Sequence, residues 1–145
     1  MGIAMLRYPV EFEPDDNGTV IATVPDVRGV ITYGDDEADA LRHAQGALLA
    51  MLSSRIDDRE DIPLPSPAHG GPTVTLPLQA ELKVLLYIAM RDQRITQVEL
   101  AQRIGSDPKS IRRLLDLTHA SRMDQVEAAL AALGKRIEIA LADAA

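Results

Sequence analysis

Apolar and polar residues alternate along Leu6-Arg7-Tyr8-Pro9-Val10-Glu11-Phe12-Glu13, the period of a strand with one buried face. Pro9 places that strand at a sheet edge or at its own start, because proline donates nothing to a ladder. Pro14-Asp15-Asp16-Asn17-Gly18 is turn chemistry, and Thr19 to Val24 predicts the returning strand of a hairpin. After the loop Pro25-Asp26-Val27-Arg28-Gly29, Val30 to Tyr33 predicts a third short strand, ended by Gly34. Asp35 or Asp36 then caps a helix running to about Arg55, with Ala38, Leu41, Ala44, Leu48, Leu49, Met51, Leu52 and Ile56 at helical spacing.

Residues 62–72 hold four prolines and the adjacent pair Gly70-Gly71, which predicts a linker with few contacts across it. Thr73 to Pro77 alternates again, as a fourth strand added to the first sheet. From Gln79 the pattern turns helical. One helix carries Leu82, Leu85, Leu86, Ala89 and Met90, and a second runs from Thr96 to Ile104. A third opens at Pro108 and a fourth spans Asp124 to Leu133. The periods together predict an α+β chain. A β-β-β-α-β unit occupies 1–78, including the linker 62–72, and an all-α unit occupies 79–145. After Gly134, residues 135–141 alternate as a strand does, while Ala140, Leu141 and Ala142 also favour a helix.

Charge divides the chain at the same place. Residues 1–72 carry five Arg and no Lys against thirteen acidic residues, a net of −8. Residues 73–145 carry ten basic against nine acidic residues, a net of +1, which together give the −7 of the whole. Within 91–122 seven basic residues face four acidic ones. Such a split suggests two separate tasks. Cysteine is absent, which removes disulfides and thiolate metal sites. No apolar run reaches the roughly 18 residues of a membrane span. The opening MGIAMLRYPVEF lacks the pattern of a signal peptide, and Leu6 stands where myristoylation wants Ser or Thr, so the expected address is the cytoplasm.

The strongest local signal lies between Gln97 and Leu115. Two closely crossing helices need a small residue where they meet, and Ala101 supplies it; the sharp turn four residues on falls at Gly105. Leu100, Ile104, Ile111 and Leu114 provide buried contacts between the helices. Lys109, Ser110, Arg112 and Arg113 are left for the outer face of the second, the one that such pairs lay in the major groove. Arg suits guanine edges and phosphates; Lys and Ser suit phosphates. The pattern resembles the Xre/Cro-like repressors over roughly residues 80–133. That resemblance implies that Thr96 and Gln97, at the start of the motif, touch the phosphate backbone. Asp107 and Asp116 flank the reading helix, where carboxylates repel phosphate. Asp107 is accounted for as a cap, and Asp116 by nothing in the sequence.

In the acidic half, Tyr8-Pro9-Val10, Asp15-Asp16-Asn17-Gly18, Val24-Pro25-Asp26-Val27 with Gly29, and Thr32-Tyr33-Gly34-Asp35 precede an alanine-rich helix. This order is similar to the partial RNase-H-like domain of HicB antitoxins, with its P-D-hydrophobic-x-G and hydrophobic-T-x-G phrases. Taken with the C-terminal motif, the resemblance covers about 130 of 145 residues. It implies a HicA-like toxin as partner, a small mRNA-cleaving protein whose active surface the acidic domain covers. It also implies binding of the chain to operator DNA in its own promoter. An acidic surface suits a basic RNA-binding partner, since opposite charge speeds encounter.

No catalytic group is expected. Asp15, Asp16, Asp26 and Asp35 are carboxylates of the kind that hold metal in nucleases, yet all four stand in turn, loop or cap positions. His43, His69 and His119 show no ligand spacing, and Met51, Met90 and Met123 fall among core positions, so neither metal nor cofactor is expected. One helix-turn-helix reads a half-site, so a homodimer or higher oligomer is expected through the C-terminal half. It would form through the stripe Val126, Ala129, Leu130 and Leu133 or through the 135–141 tail. The competing reading is a repressor whose N-terminal domain senses a small ligand.

Overall fold

A computed structural model describes residues 5–143 and bears out the α+β layout. Residues 1–4, on which part of the leader reading falls, and the last two residues lie outside those described. In chain order the elements are β1 (Tyr8–Pro9), β2 (Glu11–Pro14), β3 (Val20–Thr23), β4 (Ile31–Gly34), α1 (Glu37–Asp57) and β5 (Thr73–Val74). The helices α2 (Leu78–Gln93), α3 (Gln97–Ile104), α4 (Pro108–Leu114) and α5 (Met123–Ala132) follow.

The strands form an antiparallel meander β2-β3-β4, with Glu11 opposite Thr23 and Ile21 opposite Tyr33. The expected first strand is divided at Val10, whose N–H donates to the Pro72 carbonyl at 3.0 Å. Its first part, β1, pairs instead with β5, Tyr8 opposite Val74. The fourth strand thus joins beside the first one and is two residues long, matching the two-residue β1 it pairs with, and Pro72 stands immediately before it.

Helix α1 crosses one face of the meander. Asp36 is its cap, accepting from the Asp39 amide at 2.8 Å. The buried stripe is Ala40, Ala44, Leu48, Leu52 and Ile56, strictly four apart, so Ala38 is exposed and Leu41 only partly buried, both lining a hollow with Thr73, Val74 and Thr75. The start of α1 lies directly on the end of β4. A Cβ at Gly34 would stand 2.3 Å from the Ala40 nitrogen and 2.7 Å from the Asp39 carbonyl carbon. Glycine at that step is therefore a packing requirement.

Helix α2 is buried nearly all round, through Ala80, Leu82, Val84, Leu86, Tyr87, Ala89 and Met90. It is the shared spine of the molecule, touching α1 on one side and α5 on another. The proline-rich segment has no helix or strand, as expected, but it is not free of contacts. The Tyr8 hydroxyl donates to the Pro63 carbonyl at 2.8 Å, and Ser66 donates to the Asp26 carboxylate from both its amide and its hydroxyl. From α2, the Tyr87 hydroxyl donates to the Glu60 carbonyl and Arg91 reaches Asp61 and the Arg59 carbonyl. One apolar core, with Ile62 in it, runs through both halves.

The apolar stripe on α5 is not an outer surface. Val126, Ala129, Leu130 and Leu133 are buried within the chain, where α5 packs on α2 and α3. Four short helices need a common centre, and this stripe supplies part of it. Residues 135–143 form no helix and pair with no strand among the described residues, and Ile139 and Leu141 are 85% and 98% exposed.

Candidate nucleic-acid interface

Helix α3 begins at Thr96, whose hydroxyl oxygen accepts from the Glu99 amide at 3.1 Å and whose hydroxyl donates to the Glu99 carboxylate. The first bond pairs an otherwise free amide of the helix start, and the second fixes the capping hydroxyl. The helix ends at Gly105, in the left-handed region at φ 66°, where any Cβ is strained. Ser106 then donates back to the Ala101 carbonyl at 2.8 Å. Two residues after Gly105, Asp107 caps α4, accepting from the Ser110 amide at 2.7 Å, with Pro108 in the first turn. These four residues fix a short, sharp turn between two helices.

Leu100, Ala101, Ile111 and Leu114 are buried where α3 and α4 meet. Ile104 is only partly buried, since it sits at the end of α3 beside the turn. Lys109, Arg112 and Arg113 are exposed together on the outer side of α4, and no ion pair among the described residues engages them. Ser110 stands apart. It is half-buried and lines a groove of about 250 Å³ with Ile104, Leu114 and the α5 residues Asp124 and Gln125. Thr96 is exposed and Gln97 half-buried at the opening of α3. The six residues expected for DNA thus lie on two adjoining helices, with a cationic trio at their centre and Ser110 turned toward α5.

The sequence reading missed the group that holds α4 in place. Lys83 of α2 is fully buried, and its ammonium donates to the carbonyls of Arg113 at 3.0 Å, Asp116 at 2.8 Å and His119. A cation there meets the negative end of the helix dipole and adds a second donor to the Arg113 and Asp116 carbonyls, which also accept from the Asp116 and His119 amides. Burial pulls the Lys83 pKa below the ordinary lysine value, and the nearby Asp116 carboxylate opposes this. Gln79, one turn before Lys83, clamps Ser121 by donating to its carbonyl at 2.9 Å and accepting from its amide at 2.8 Å. At the far end of α2, Gln93 donates to the Leu133 carbonyl. Positions 79, 83, 86, 90 and 93 form one stripe on α2, its polar members anchoring the chain after α4 and after α5. The available signal was a lysine inside an otherwise apolar run, Leu82-Lys83-Val84-Leu85-Leu86.

Asp116 has a task of its own. Its carboxylate accepts from the Thr118 amide at 3.0 Å and hydroxyl at 2.8 Å, which turns the chain out of α4. Those two bonds, the hydroxyl's first, hold its pKa below the usual carboxylate value. Asp107 is lowered likewise by the Ser110 amide and then its hydroxyl, with Arg113 and Lys109 adding attraction. Both carboxylates beside the cationic trio therefore have local backbone work. Two of the other carboxylates weighed as nuclease ligands are similarly engaged: Asp15 accepts from Asp16 and Thr19 in the hairpin turn, and Asp26 holds Ser66.

A family profile described as HicB-like antitoxin of bacterial toxin–antitoxin system matches residues 7–85. The chain is 38% identical over 137 residues to antitoxin HicB of Escherichia coli, covering 94% of this chain and 99% of the relative. It is 35% identical over 139 residues to antitoxin HicB 1 of Photorhabdus laumondii subsp. laumondii, covering 96% and 89%. Antitoxin HicB of Pseudomonas fluorescens is 30% identical over 138 residues, 94% of each chain. The profile ends within α2, whereas these relatives match through the helical half as well.

Proposed function

The chain belongs to the HicB-like antitoxins of bacterial toxin–antitoxin systems, and we propose that it neutralises a HicA-like, mRNA-cleaving toxin with its acidic half and represses its own operon with its helical half. The repressor role rests on one observation above the rest. Lys109, Arg112 and Arg113 stand exposed and, among the described residues, free of ion pairs on α4, the second helix of a tightly turned pair whose first helix opens at Thr96 and Gln97. Such a surface meets phosphates and base edges in the major groove. Thr96, Gln97 and Ser110 contribute at its margins.

The neutralising role is supported by the family and by charge: the first 72 residues carry −8, the complement of a basic RNA-binding protein. No catalytic step, metal or cofactor falls to the chain in this scheme, and it acts in the cytoplasm. Two copies pair through the C-terminal half, so that two helix pairs read two half-sites. With the α5 stripe buried, the pairing element is the 135–143 tail, whose apolar residues Ile139 and Leu141 are uncovered. The test is a mobility-shift titration on DNA from the chain's own promoter at several salt concentrations. Specific retardation whose affinity falls linearly in log–log salt is expected. Equal binding to promoter and unrelated DNA would remove the repressor role.

A further inference from the structure

We infer that the uncovered face of the β2-β3-β4 meander is the surface that receives the toxin, a basic protein offering an apolar contact flanked by Lys or Arg. Helix α1 covers only one side of this sheet, the side of Ala22 and Gly34. On the other side the register aligns two rows across the three strands: Glu13, Ile21 and Tyr33 in one, Glu11, Thr23 and Ile31 in the other. Residues paired in this way share a face and touch their neighbours. Ile31 and Tyr33 are 63% and 65% exposed, although β-branched and aromatic residues gain most from being covered.

The partner's chemistry follows from the rest of each row. Glu11 and Glu13 are exposed beside the apolar pair, and no ion pair among the described residues uses either. Strands β2, β3 and β4 contain no Lys or Arg. A second copy of this face would set these glutamates against one another. A basic protein meets the opposite situation, its cations against carboxylates and its apolar contact against Ile31 and Tyr33. Contact is made across the face rather than by adding a strand at the β4 edge, because His43 from α1 already hydrogen-bonds the Tyr33 carbonyl at 2.7 Å.

This inference rests on the antitoxin's having a HicA-like partner, and the experiment separates the two. The full chain and two double variants, Ile31→Ala/Tyr33→Ala and Glu11→Lys/Glu13→Lys, are titrated calorimetrically into the toxin encoded beside the gene, rendered inactive. Thermal unfolding and promoter binding serve as checks of fold. The apolar double variant should lose at least about tenfold in affinity, the scale of truncating a buried aromatic anchor. The charge-reversed one should lose affinity most at low salt, where rim charges act most strongly. Wild-type-like affinity in both folded variants, with the unaltered chain binding, would overturn the face. No binding by the unaltered chain would overturn the toxin partnership and the face with it. If light scattering shows that the apolar variant loses self-association while toxin affinity is unchanged, the face belongs to a second copy and the inference fails.

Discussion

The buried ammonium of Lys83 donates to the backbone carbonyl of Arg113 at 3.0 Å, while the Arg113 side chain stays exposed. One residue is thus fixed from inside by its main chain and offered outside by its guanidinium. Lys83→Met keeps the apolar stem and removes the donor, leaving the Arg113 and Asp116 carbonyls with only the Asp116 and His119 amides and the His119 carbonyl without its ammonium partner. A hydrogen bond from a charged donor contributes about 1.5–3 kcal/mol, so urea unfolding should show a loss of that size. Operator affinity should also fall, because α4 loses its anchor. A variant of unchanged stability would remove the anchoring role.

Arg112→Ala/Arg113→Ala should behave in the opposite way. Both side chains are exposed, and the Arg113 carbonyl survives the change. Unfolding should be unaffected, while promoter affinity drops by about 1–3 kcal/mol for each base edge that an arginine no longer reads. Where a residue meets phosphate instead, the log–log salt slope should shrink by about one per arginine removed. Toxin binding should remain.

Gly34→Ala should damage the N-terminal half. The added methyl would meet the Ala40 nitrogen at 2.3 Å and the Asp39 carbonyl carbon at 2.7 Å, backbone atoms that cannot swing aside. Overpacking of this kind costs at least about 1–3 kcal/mol. Denaturant unfolding should register it, and toxin binding should weaken through displacement of β4.

Three carboxylates that hold local backbone make the fold sensitive to acid. Asp39, Asp107 and Asp116 are each held below the ordinary carboxylate pKa by hydrogen bonds, led respectively by the Asp35 amide, the Ser110 amide and the Thr118 hydroxyl. For a lowered group the unfolded chain binds protons first as the pH falls. The contribution is therefore present above the usual carboxylate range and lost below about pH 4. Glu81, raised by burial, works in the other direction. The urea midpoint should hold from neutral pH to about 5 and fall below about 4. In Asp107→Asn, which retains a capping oxygen, that fall should be smaller.

Most elements, the caps and the sharp turn between α3 and α4 were legible because each depends on neighbours a few residues apart. Thr96 with Glu99, Gly105, and Asp107 with Ser110 are local chemistry, and each stands where its pattern predicts. What was hidden depends on residues far apart in the chain. The stripe on α5 reads as an interface until α2 and α3 are known to cover it. The proline-rich segment reads as a free joint until Tyr8, Tyr87 and Arg91 are found to hold its neighbourhood. Lys83 looks out of place until the end of α4 is brought to it across a separation of 30 residues. Asp116 looks repulsive until its bonds to Thr118 are seen.

The central claim is that this antitoxin silences a HicA-like toxin by binding it. Growth after induction of the toxin gene encoded beside it, with this chain supplied from a second inducible plasmid, measures that most directly. Growth arrest by the toxin alone, relieved when the chain is co-expressed and accompanied by recovery of both proteins as one complex, is the predicted result. Arrest that persists while the chain accumulates in soluble form, with no complex recovered, would contradict the claim.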